Sequence, residues 1–325
     1  MKIIGLMPAK NESWILPYTL KPLSQICDHI IVADQNSTDK SNEVYKNFSK
    51  VTVIKNNVIG HSNTVRWNLL DTARNFDGKN LIISIDADEI IIPKLLKDYL
   101  YKNIDSISSG TLLSFQWIQL WKSLNYYRND DFWGNNWKPI GFLDDRKIDY
   151  NRSNIIINDH TSRTPGKENT PITKMHNVPL IHLQWVFWNR AQIKQAWYRC
   201  TELIENNSRA WTINKKYKTS LDNTNAKLKA TPKEWILDIN IPTNLNQQWQ
   251  FKEILQWFDQ YGIKYFEPLQ IWHIQELHNE FVKKMGRQPK AILKPPLHIR
   301  AKTQISKFIP SKIKNKIKNK YHLSN

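Results

Sequence analysis

Three acidic residues stand together in the run Asp86-Ala87-Asp88-Glu89. Asp86 and Asp88 are two residues apart and directly follow the apolar run 81–85, so both carboxylates can point into one cleft beyond a strand. Mg²⁺ and Mn²⁺ favour oxygen ligands, and such ions commonly bridge substrate phosphates. The run predicts either a divalent metal site or a solvated acidic turn, and its place at a strand end favours the metal site.

The elements that must position this run are predicted in the first 95 residues, where apolar runs alternate with helical patterns. Four strands are predicted, at 3–7, 29–33, 51–54 and 81–85. Such alternation is typical of a parallel sheet covered on both faces, which binds ligands beyond the carboxyl ends of its strands. The candidate ligand-binding segments are therefore those that follow strands, at 8–12, 34–39 and 86–89.

The chain beyond residue 95 is less regular. Short β-like runs at 111–117, 154–157 and 179–183 predict the remaining strands of a mixed sheet, together with loops that cover a substrate. Residues 190–210 and 246–285 have the spacing of apolar residues that is typical of helices.

The net charge of +18 is concentrated at the end of the chain. Residues 281–325 contain 13 Lys or Arg and no acidic residue, whereas residues 1–280 contain 34 basic and 29 acidic residues. Because residues 1–280 are close to neutral, they are not expected to form a nucleic-acid-binding surface. Apolar residues make up 40% of the sequence, so a folded core is expected.

Cysteine content and hydropathy indicate a cytosolic protein. Cys27 and Cys200 are too few for a disulfide framework. The apolar run at the N-terminus is shorter than the core of a signal peptide, and no window approaches the roughly 20 apolar residues of a spanning helix.

The basic tail, residues 291–325, carries isoleucines at intervals of four: Ile305, Ile309, Ile313 and Ile317. A basic amphipathic segment suits an anionic membrane surface. A solvated, disordered tail is the alternative.

Four segments, in order, resemble the family 2 glycosyltransferases, which have the GT-A fold. Residues 7–12 (Met-Pro-Ala-Lys-Asn-Glu) resemble the opening strand and its "NE" turn, and residues 32–39 resemble the "D-x-x-S-T-D" loop. Arg66 and Asn68 stand where an Arg-Asn pair is usual, although Trp67 separates them here, and 86–89 resembles the metal motif. The resemblance covers about residues 1–95. It implies an α/β, Rossmann-like fold with a mixed, mostly parallel central sheet flanked by helices.

The resemblance implies that the turn after the first strand and the loop after the second hold the nucleoside of a donor. The turn residues concerned are Pro8, Ala9, Asn11 and Glu12, and Asp34 would accept a hydrogen bond from the base. A carboxylate accepts only, which suits a uracil or guanine N–H. The alternative for Asp34 is a cap of the following helix.

The resemblance also implies roles around the acidic run. Asp86 would approach the ribose and Asp88 would bind the metal, Mn²⁺ or Mg²⁺. Arg66 would lie against the base or the phosphates, or be a surface residue of its helix.

Of three histidines in the middle region, His160, His176 and His182, the last follows a predicted strand. A late histidine can complete the metal site in GT-A enzymes, and imidazole suits Mn²⁺. A hydrogen-bonded packing role is the alternative for His182.

Inverting transfer needs a carboxylate that deprotonates the acceptor hydroxyl. Asp144 and Asp145 follow Gly141-Phe142-Leu143 and are the candidates for this base, with a hairpin turn as their alternative role. Rival candidates are Asp130, Asp131 and Asp159.

The sequence contains 14 tryptophans, and many of them crowd the middle region. Aromatic faces stack on the C–H surfaces of sugars, which predicts an acceptor groove, but aromatic residues also fill cores. The residues concerned are Trp117, Trp121, Trp133, Trp137, Trp185 and Trp188.

Together these patterns predict a metal-dependent, inverting glycosyltransferase. Its donor would be a UDP- or GDP-linked sugar, and its acceptor a glycan, a lipid-linked sugar or a surface polysaccharide. The alternatives are a sugar nucleotidyltransferase, which normally needs a glycine-rich phosphate loop, and a carbohydrate-binding protein without catalysis.

The predicted organisation has three parts. A GT-A domain spans 1–210, with a nucleotide-binding half over about 1–95 and an acceptor and metal half over about 96–210. A helical extension over 211–290 and the basic tail follow. Because lipid-linked acceptors are common for such enzymes, we expect a cytoplasmic protein that contacts a membrane through the tail.

Overall fold

The computed structural model describes residues 1–58, 62–153, 155, 162–167, 169–205, 209–218, 226–237, 239, 241 and 249–290. The chain divides into two compact units. The first contains Met1–Lys194 and Leu221–Lys252, and the second contains Gln195–Ser220 and Glu253–Asn325. Across the described ranges, no helix is long and apolar enough to cross a membrane.

Ten strands are described, and the first four lie where the apolar runs predict them. In chain order they are β1 (Lys2–Ala9), β2 (His29–Asp34), β3 (Val51–Lys55), β4 (Asn80–Ser84), β5 (Glu89–Ile91), β6 (Leu112–Gln119), β7 (Tyr126–Arg128), β8 (Trp137–Asp144), β9 (Ile172–His182) and β10 (Leu228–Ala230).

The described helices are α1 (Leu16–Ile26), α2 (Ser41–Lys46), α3 (Thr64–Ala73), α4 (Pro93–Asn103), α5 (Asp131–Gly134), α6 (Trp188–Glu205), α7 (Ala210–Lys216), α8 (Lys233–Ile236), α9 (Trp249–Tyr261), α10 (Ile263–Phe266) and α11 (Gln275–Met285). A short 3₁₀ turn, Ile104–Ser106, follows α4.

Eight strands form one sheet in the order β3-β2-β1-β4-β8-β6-β9-β5. The pairs β3–β2, β2–β1, β1–β4 and β6–β9 are parallel, whereas β4–β8, β8–β6 and β9–β5 are antiparallel. The mixed, mostly parallel sheet predicted from the sequence is confirmed. A separate two-stranded ribbon pairs β10 with β7.

Helices cover both faces of this sheet, which explains why the first strands are apolar runs without alternation. Met7 of β1 packs in one core cluster with residues of α1 and α4, such as Leu20 and Leu96. Its neighbour Leu6 points to the other face and packs with Leu69 of α3. Because both faces are covered, water is excluded from the strands, and polar side chains lie mainly at the edges of the sheet.

Strand direction decides which residues meet at the carboxyl edge of β1, β2 and β4. Because β8 is antiparallel to both β4 and β6, strand β6 runs in the same direction as β4, and so does β9. The last residues of β6 and β9, Gln119 and His182, are paired with each other, and His182 is also paired with Glu89, the first residue of β5. These strand ends therefore lie at one edge with the residues that follow β1, β2 and β4.

The middle region partly follows its prediction. The runs at 111–117 and 179–183 belong to β6 and β9, and β9 begins seven residues earlier than the run. The sequence did not predict β8, in which Pro139 pairs with Ser114 beside a register shift. The run at 154–157 lies outside the described residues except for 155.

In the second unit, Arg199 is buried and donates to the backbone carbonyls of Gln195 and Tyr217. Burial lowers the pKa of its guanidinium to about 10. Glu267 binds Arg287 through two hydrogen bonds of 2.6 and 2.9 Å.

Candidate functional site

The turn after β1 and the loop after β2 are held together by side-chain hydrogen bonds. Asn11 has a left-handed backbone (φ 53°), and its side-chain oxygen accepts from the backbone N–H of Thr38 at 2.7 Å. The Ser37 hydroxyl accepts from the Asn11 N–H at 2.9 Å, and Asp39 accepts from the Ser13 N–H at 3.0 Å. We call these bonds the loop latch. It joins the two segments predicted to hold a nucleoside.

Asp34 is buried at the end of β2, where it is paired with Ala9 at the end of β1; Pro8 is paired with Ala33. Its carboxylate accepts from the backbone N–H and the hydroxyl of Ser37, at 2.8 and 2.7 Å, and from the Tyr45 hydroxyl at 2.9 Å. Burial and the neighbouring Asp34 raise the pKa of Tyr45, so its hydroxyl remains a donor. A carboxylate has about four acceptor sites, and these three bonds leave one for a ligand.

Glu12 lies in the same turn and contacts two side chains. It accepts from the indole of Trp14 at 2.5 Å and from Arg190 of α6 at 3.2 Å. The guanidinium of Arg190 also lies 4.1 Å from the centre of the Trp14 ring. Burial raises the pKa of the Glu12 carboxyl, although Arg190 and Lys194 oppose the rise.

Asp86 lies between two arginines. Its Oδ1 accepts from Arg66 at 2.7 Å, and its Oδ2 accepts from Arg163 at 2.6 Å. Burial raises the pKa of the Asp86 carboxyl, but the guanidinium groups of Arg163 and Arg66 outweigh burial and hold it well below its usual value. Arg66 is itself buried in the first turns of α3 and also donates to the Ser84 hydroxyl at 3.0 Å.

Glu89 is fully buried at the start of β5 and fixes the backbone conformation of the acidic run. It accepts from the Asp86 backbone N–H at 2.9 Å, from the Trp117 indole at 2.7 Å and from Arg163 at 2.5 Å. All three partners are donors, so the buried carboxylate of Glu89 has its hydrogen-bonding capacity satisfied at the edge of the sheet.

Asp88 faces two basic side chains. The Nε2 atom of His182 lies 3.4 Å from its Oδ1, and the ammonium of Lys194 lies 3.3 Å from its Oδ2. Burial raises the pKa of the Asp88 carboxyl, but Lys194 and His182 outweigh burial and hold it well below its usual value. On the other side of the imidazole, Nδ1 lies 2.6 Å from the side-chain oxygen of Gln119.

Asp88 and His182 fit a divalent cation as a pair of ligands. Their oxygen and nitrogen atoms face each other, and Mg²⁺ and Mn²⁺ sites often take one or two protein ligands and complete their shell with phosphates and water. Both oxygens of Asp86 accept from arginines, which fixes the direction of this carboxylate and leaves each oxygen a second acceptor site. Within the described ranges, no group of three or more His, Cys, Asp or Glu side chains is gathered around one point.

The site combines four carboxylates with an equal number of fixed cations. Each carboxylate has a cationic partner within 3.4 Å: Arg190 for Glu12, Arg66 and Arg163 for Asp86, Lys194 for Asp88, and Arg163 for Glu89. Cations fixed in this way before a ligand arrives can stabilise an anion that develops during a reaction, such as a departing diphosphate.

The structure does not bring Asp144 and Asp145 to this site. Asp144 ends β8 and is paired with Asn80 at the start of β4, which is the opposite edge of the sheet. It is buried and accepts two hydrogen bonds from Arg74, at 3.0 and 2.8 Å. Asp145 accepts from the backbone N–H groups of Lys147 and Ile148, which is the turn that was its alternative role.

The rival acidic residues are placed as follows. Asp130 accepts two hydrogen bonds from Arg128, at 2.8 and 3.0 Å, which hold its pKa below the usual value against the effect of burial. The side chain of Asp131, and the whole of Asp159 and His160, lie outside the described residues.

Four of the tryptophans form one cluster beyond the ends of β6 and β9. Trp121 and Trp185 are buried, and they pack with Trp133 and Trp188. This cluster is mainly core. Trp117 instead belongs to the site: it binds Glu89 and stacks on His182 with 4.8 Å between ring centres.

Four residues of the site were not predicted from the sequence: Gln119, Arg163, Arg190 and Lys194. Gln119 ends a strand at the carboxyl edge, so the rule applied to the first four strands would have found it if extended to β6. Lys194 stands four residues after Arg190 on α6, the spacing of one helix face. Arg163 carries no such signal, because it lies in an irregular segment.

Residues 6–159 match the family model described as glycosyl transferase family 2. This part of the chain is a glycosyl transferase family 2 domain, and the protein is a glycosyltransferase. The match, together with the strand order, confirms the predicted GT-A fold. No curated protein sequence matches the chain.

Several solved structures resemble this chain at low identity. S. aureus TarS 1–349 is 14% identical over 86% of this chain and 85% of its own, with a TM-score of 0.37. Its complex with UDP-GlcNAc is 13% identical over 86% and 85%, with a TM-score of 0.38. GalNAc-T7 with UDP, GalNAc and Mn²⁺ is 16% identical over 37% of this chain and 24% of its own, with a TM-score of 0.30.

Proposed function

We propose that this glycosyl transferase family 2 domain moves a sugar from a UDP- or GDP-linked donor to a hydroxyl of an acceptor. The acceptor class is a glycan, a lipid-linked sugar or a surface polysaccharide, and the reaction inverts the anomeric carbon and needs Mn²⁺ or Mg²⁺. The observation that carries the proposal is the position of Asp86 and Asp88 within the family domain. Both lie at the carboxyl edge of the sheet, beside His182 and four fixed cations.

The nucleoside is held by the latched segments after β1 and β2. Asp34 keeps one acceptor site for the base, and Pro8 to Glu12 line the turn opposite it. Asp86 accepts from a ribose hydroxyl, and its arginine partners fix the direction of its carboxylate. Arg66, which is bound to Asp86, would lie against the base or the phosphates.

Asp88 and His182 would hold the divalent cation, which supplies positive charge for the diphosphate leaving group when bound. The acceptor hydroxyl attacks the anomeric carbon, the bond from that carbon to the phosphate oxygen breaks, and the diphosphate leaves with the electron pair. Arg163 and Lys194 lie beside the acidic run and stabilise the negative charge that the diphosphate gains. The hydroxyl proton must pass to a carboxylate base.

The direct test is a screen of donor hydrolysis with a panel of nucleotide sugars in Mn²⁺, accompanied by thermal melting with UDP or GDP. A ligand present at 100 times its Kd adds about 2.7 kcal/mol of stability, so the melting temperature should rise with nucleotide and metal together. A nucleotidyltransferase would instead release pyrophosphate from a nucleoside triphosphate and a sugar phosphate. A carbohydrate-binding protein would respond to sugar alone. Either pattern, without donor hydrolysis, contradicts the proposal.

We also propose that the enzyme is cytoplasmic and that its basic tail contacts an anionic membrane. The tail, residues 291–325, lies outside the described residues, so the proposal depends on its lysines and isoleucines alone. The full chain should sediment with vesicles that contain anionic lipid, and it should do so less in high salt, because salt screens exposed charges. Removal of residues 296–325 should abolish sedimentation and keep activity on a soluble acceptor. Failure of the full chain to bind such vesicles at low salt contradicts the proposal.

A further inference from the structure

Arg163 binds both ends of the acidic run from a segment that is neither helix nor strand. Its Nη2 atom lies 2.6 Å from Asp86, and its Nη1 atom lies 2.5 Å from Glu89. The side chain of Arg163 is only 13% exposed, so these contacts are largely shielded from water. Because residues 162–167 lie outside the helices and strands, another contact must fix the backbone from which this side chain extends.

The Tyr150 hydroxyl provides that contact. It donates to the backbone carbonyl of Arg163 at 2.9 Å. Burial raises the pKa of Tyr150, so its hydroxyl keeps its proton and remains a donor. Among the residues that the structure describes, no backbone group of another residue binds the Arg163 backbone. Tyr150 therefore sets the position of the Arg163 main chain.

Tyr150 is itself fixed by packing. Its ring lies against the core cluster that contains Leu69 of α3 and Phe142 of β8. Arg152, two residues later, binds Asp71 of α3, but both of these side chains are exposed, and exposed ion pairs contribute little to stability. The packed ring of Tyr150 and its hydrogen bond therefore connect the core of the first unit to Arg163.

The position of Arg163 matters because one planar guanidinium binds two carboxylates. Its two Nη atoms reach Asp86 and Glu89 together only in one orientation of the group. If the main chain of Arg163 shifted, one or both contacts would lengthen, and the Oδ2 atom of Asp86 would lose its partner. A misplacement of about 1 Å at a reacting group can lower turnover about 100-fold.

We propose that Tyr150 is a positioning residue of the transferase reaction, which acts by fixing Arg163 against Asp86 and Glu89. Tyr150 touches neither the donor nor the acceptor. Its hydroxyl fixes the backbone of Arg163, and the guanidinium then fixes the direction of Asp86 and supplies positive charge for the departing diphosphate. This inference rests on the proposed function, because Asp86 and Arg163 act on a donor only in that reaction.

The test is a double-mutant cycle in the full-length protein, with hydrolysis of the best donor of the nucleotide-sugar panel in Mn²⁺ as the readout. Tyr150→Phe removes only the hydroxyl and should lower kcat/KM about five-fold, because Arg163 loses its backbone hydrogen bond. Arg163→Lys keeps a positive charge beside Glu89 but lacks the planar group that binds both carboxylates, and it should lower kcat/KM about 100-fold.

The cycle separates positioning from stability. In the Arg163→Lys background, Tyr150→Phe should lower kcat/KM less than about two-fold, whereas independent effects would multiply. Arg163→Gln gives a second background, without charge, in which the same result is expected. The same cycle measured on the Kd of UDP and GDP in Mn²⁺ should show the same coupling without turnover.

The matched control is Tyr265→Phe in the second unit. The Tyr265 hydroxyl also donates to a backbone carbonyl at 2.9 Å, that of Leu203. This variant should keep kcat/KM within about two-fold of the wild type, because it loses the same kind of bond in a place that does not contact the acidic run. Thermal melts of both Tyr→Phe variants measure the loss of stability separately.

Three results would overturn the inference: wild-type kcat/KM in Tyr150→Phe, multiplicative losses in the cycle, or an equal loss in Tyr265→Phe. Donor hydrolysis by the wild type reports on the proposed function separately. If the wild type hydrolyses a donor and the losses multiply, this inference alone is rejected. If the wild type hydrolyses no donor of the panel and binds neither UDP nor GDP, the proposed function is rejected, and this inference with it.

Discussion

The side-chain oxygen of Gln119 lies 2.6 Å from Nδ1 of His182, on the neighbouring strand. An amide oxygen can only accept, so Nδ1 carries the proton, and Nε2 is directed at Asp88. Histidines that bind metals are commonly oriented in this way by a second hydrogen bond. Gln119 is fully buried, which keeps this bond away from competing water.

We predict that Gln119→Leu lowers the affinity for Mn²⁺ about ten-fold or more, because the imidazole loses the bond that fixes its tautomer. Electron paramagnetic resonance of free Mn²⁺ measures this affinity without turnover. Gln119→Glu, which keeps an acceptor, should restore most of it. The matched control is Gln116→Leu on the same strand, whose side chain binds the backbone of Gly134. Unchanged Mn²⁺ binding in Gln119→Leu would mean that the bond to His182 only fills the core.

Asp88→Asn should reduce turnover on the order of 100-fold or more, because the proposed cation loses its charged ligand. Binding of UDP or GDP in Mn²⁺ should weaken in parallel, and the circular dichroism spectrum should stay that of the wild type. EDTA should abolish wild-type activity. As a control, Asp71→Asn changes an exposed aspartate that pairs with Arg152. Full activity in EDTA, or in Asp88→Asn, would show that the metal assignment is wrong.

Asp34→Ala should raise the donor KM by a factor that corresponds to about 1–3 kcal/mol, because the N–H of the base loses a buried acceptor. Tyr45→Phe is the matched control, since it removes one bond to Asp34 and leaves the carboxylate in place. Donor titrations and thermal melts of both variants separate binding from stability. A variant Asp34→Ala that melts earlier but binds donor normally would identify Asp34 as a cap of the loop.

Asp144→Asn should destabilise the protein by about 1–3 kcal/mol, because Arg74 loses a charged partner for its two hydrogen bonds. Turnover by the folded fraction should match the wild type, since Asp144 lies at the sheet edge opposite Asp86. Denaturant unfolding and activity at low temperature measure the two effects. A large loss of turnover without loss of stability would restore Asp144 as the candidate base.

The first half of the fold was predictable because three of its first four strands, β1, β2 and β4, are largely buried and therefore read as continuous apolar runs. Leu81 to Ile83 belong to an apolar run that is typical of a covered strand, which predicts the acidic run that follows it at the carboxyl edge. Strand β8 was not predictable in the same way. Pro139 and Gly141 interrupt its pattern, and both residues are usually signals of turns.

The partners of the acidic run were less predictable than the run itself. Asp86 and Asp88 are close in sequence, whereas Arg163 and Lys194 reach them from distant segments. Asp144 was predicted as a candidate base because an aspartate that follows an apolar run has the same sequence pattern at either edge of a sheet. Only strand direction, which depends on tertiary pairing, separates the two cases.

The loop latch has a consequence for the thermodynamics of donor binding. Asn11 and Ser37 fix the turn and the loop to each other through bonds that exist without any ligand. The entropy lost in ordering these backbones is therefore incurred on folding and not on association. A nucleotide that enters between them should bind with a modest heat-capacity change, of the size expected for a preformed pocket and not for coupled folding. The half of the enzyme that we propose binds the base is in this sense ordered before its substrate arrives.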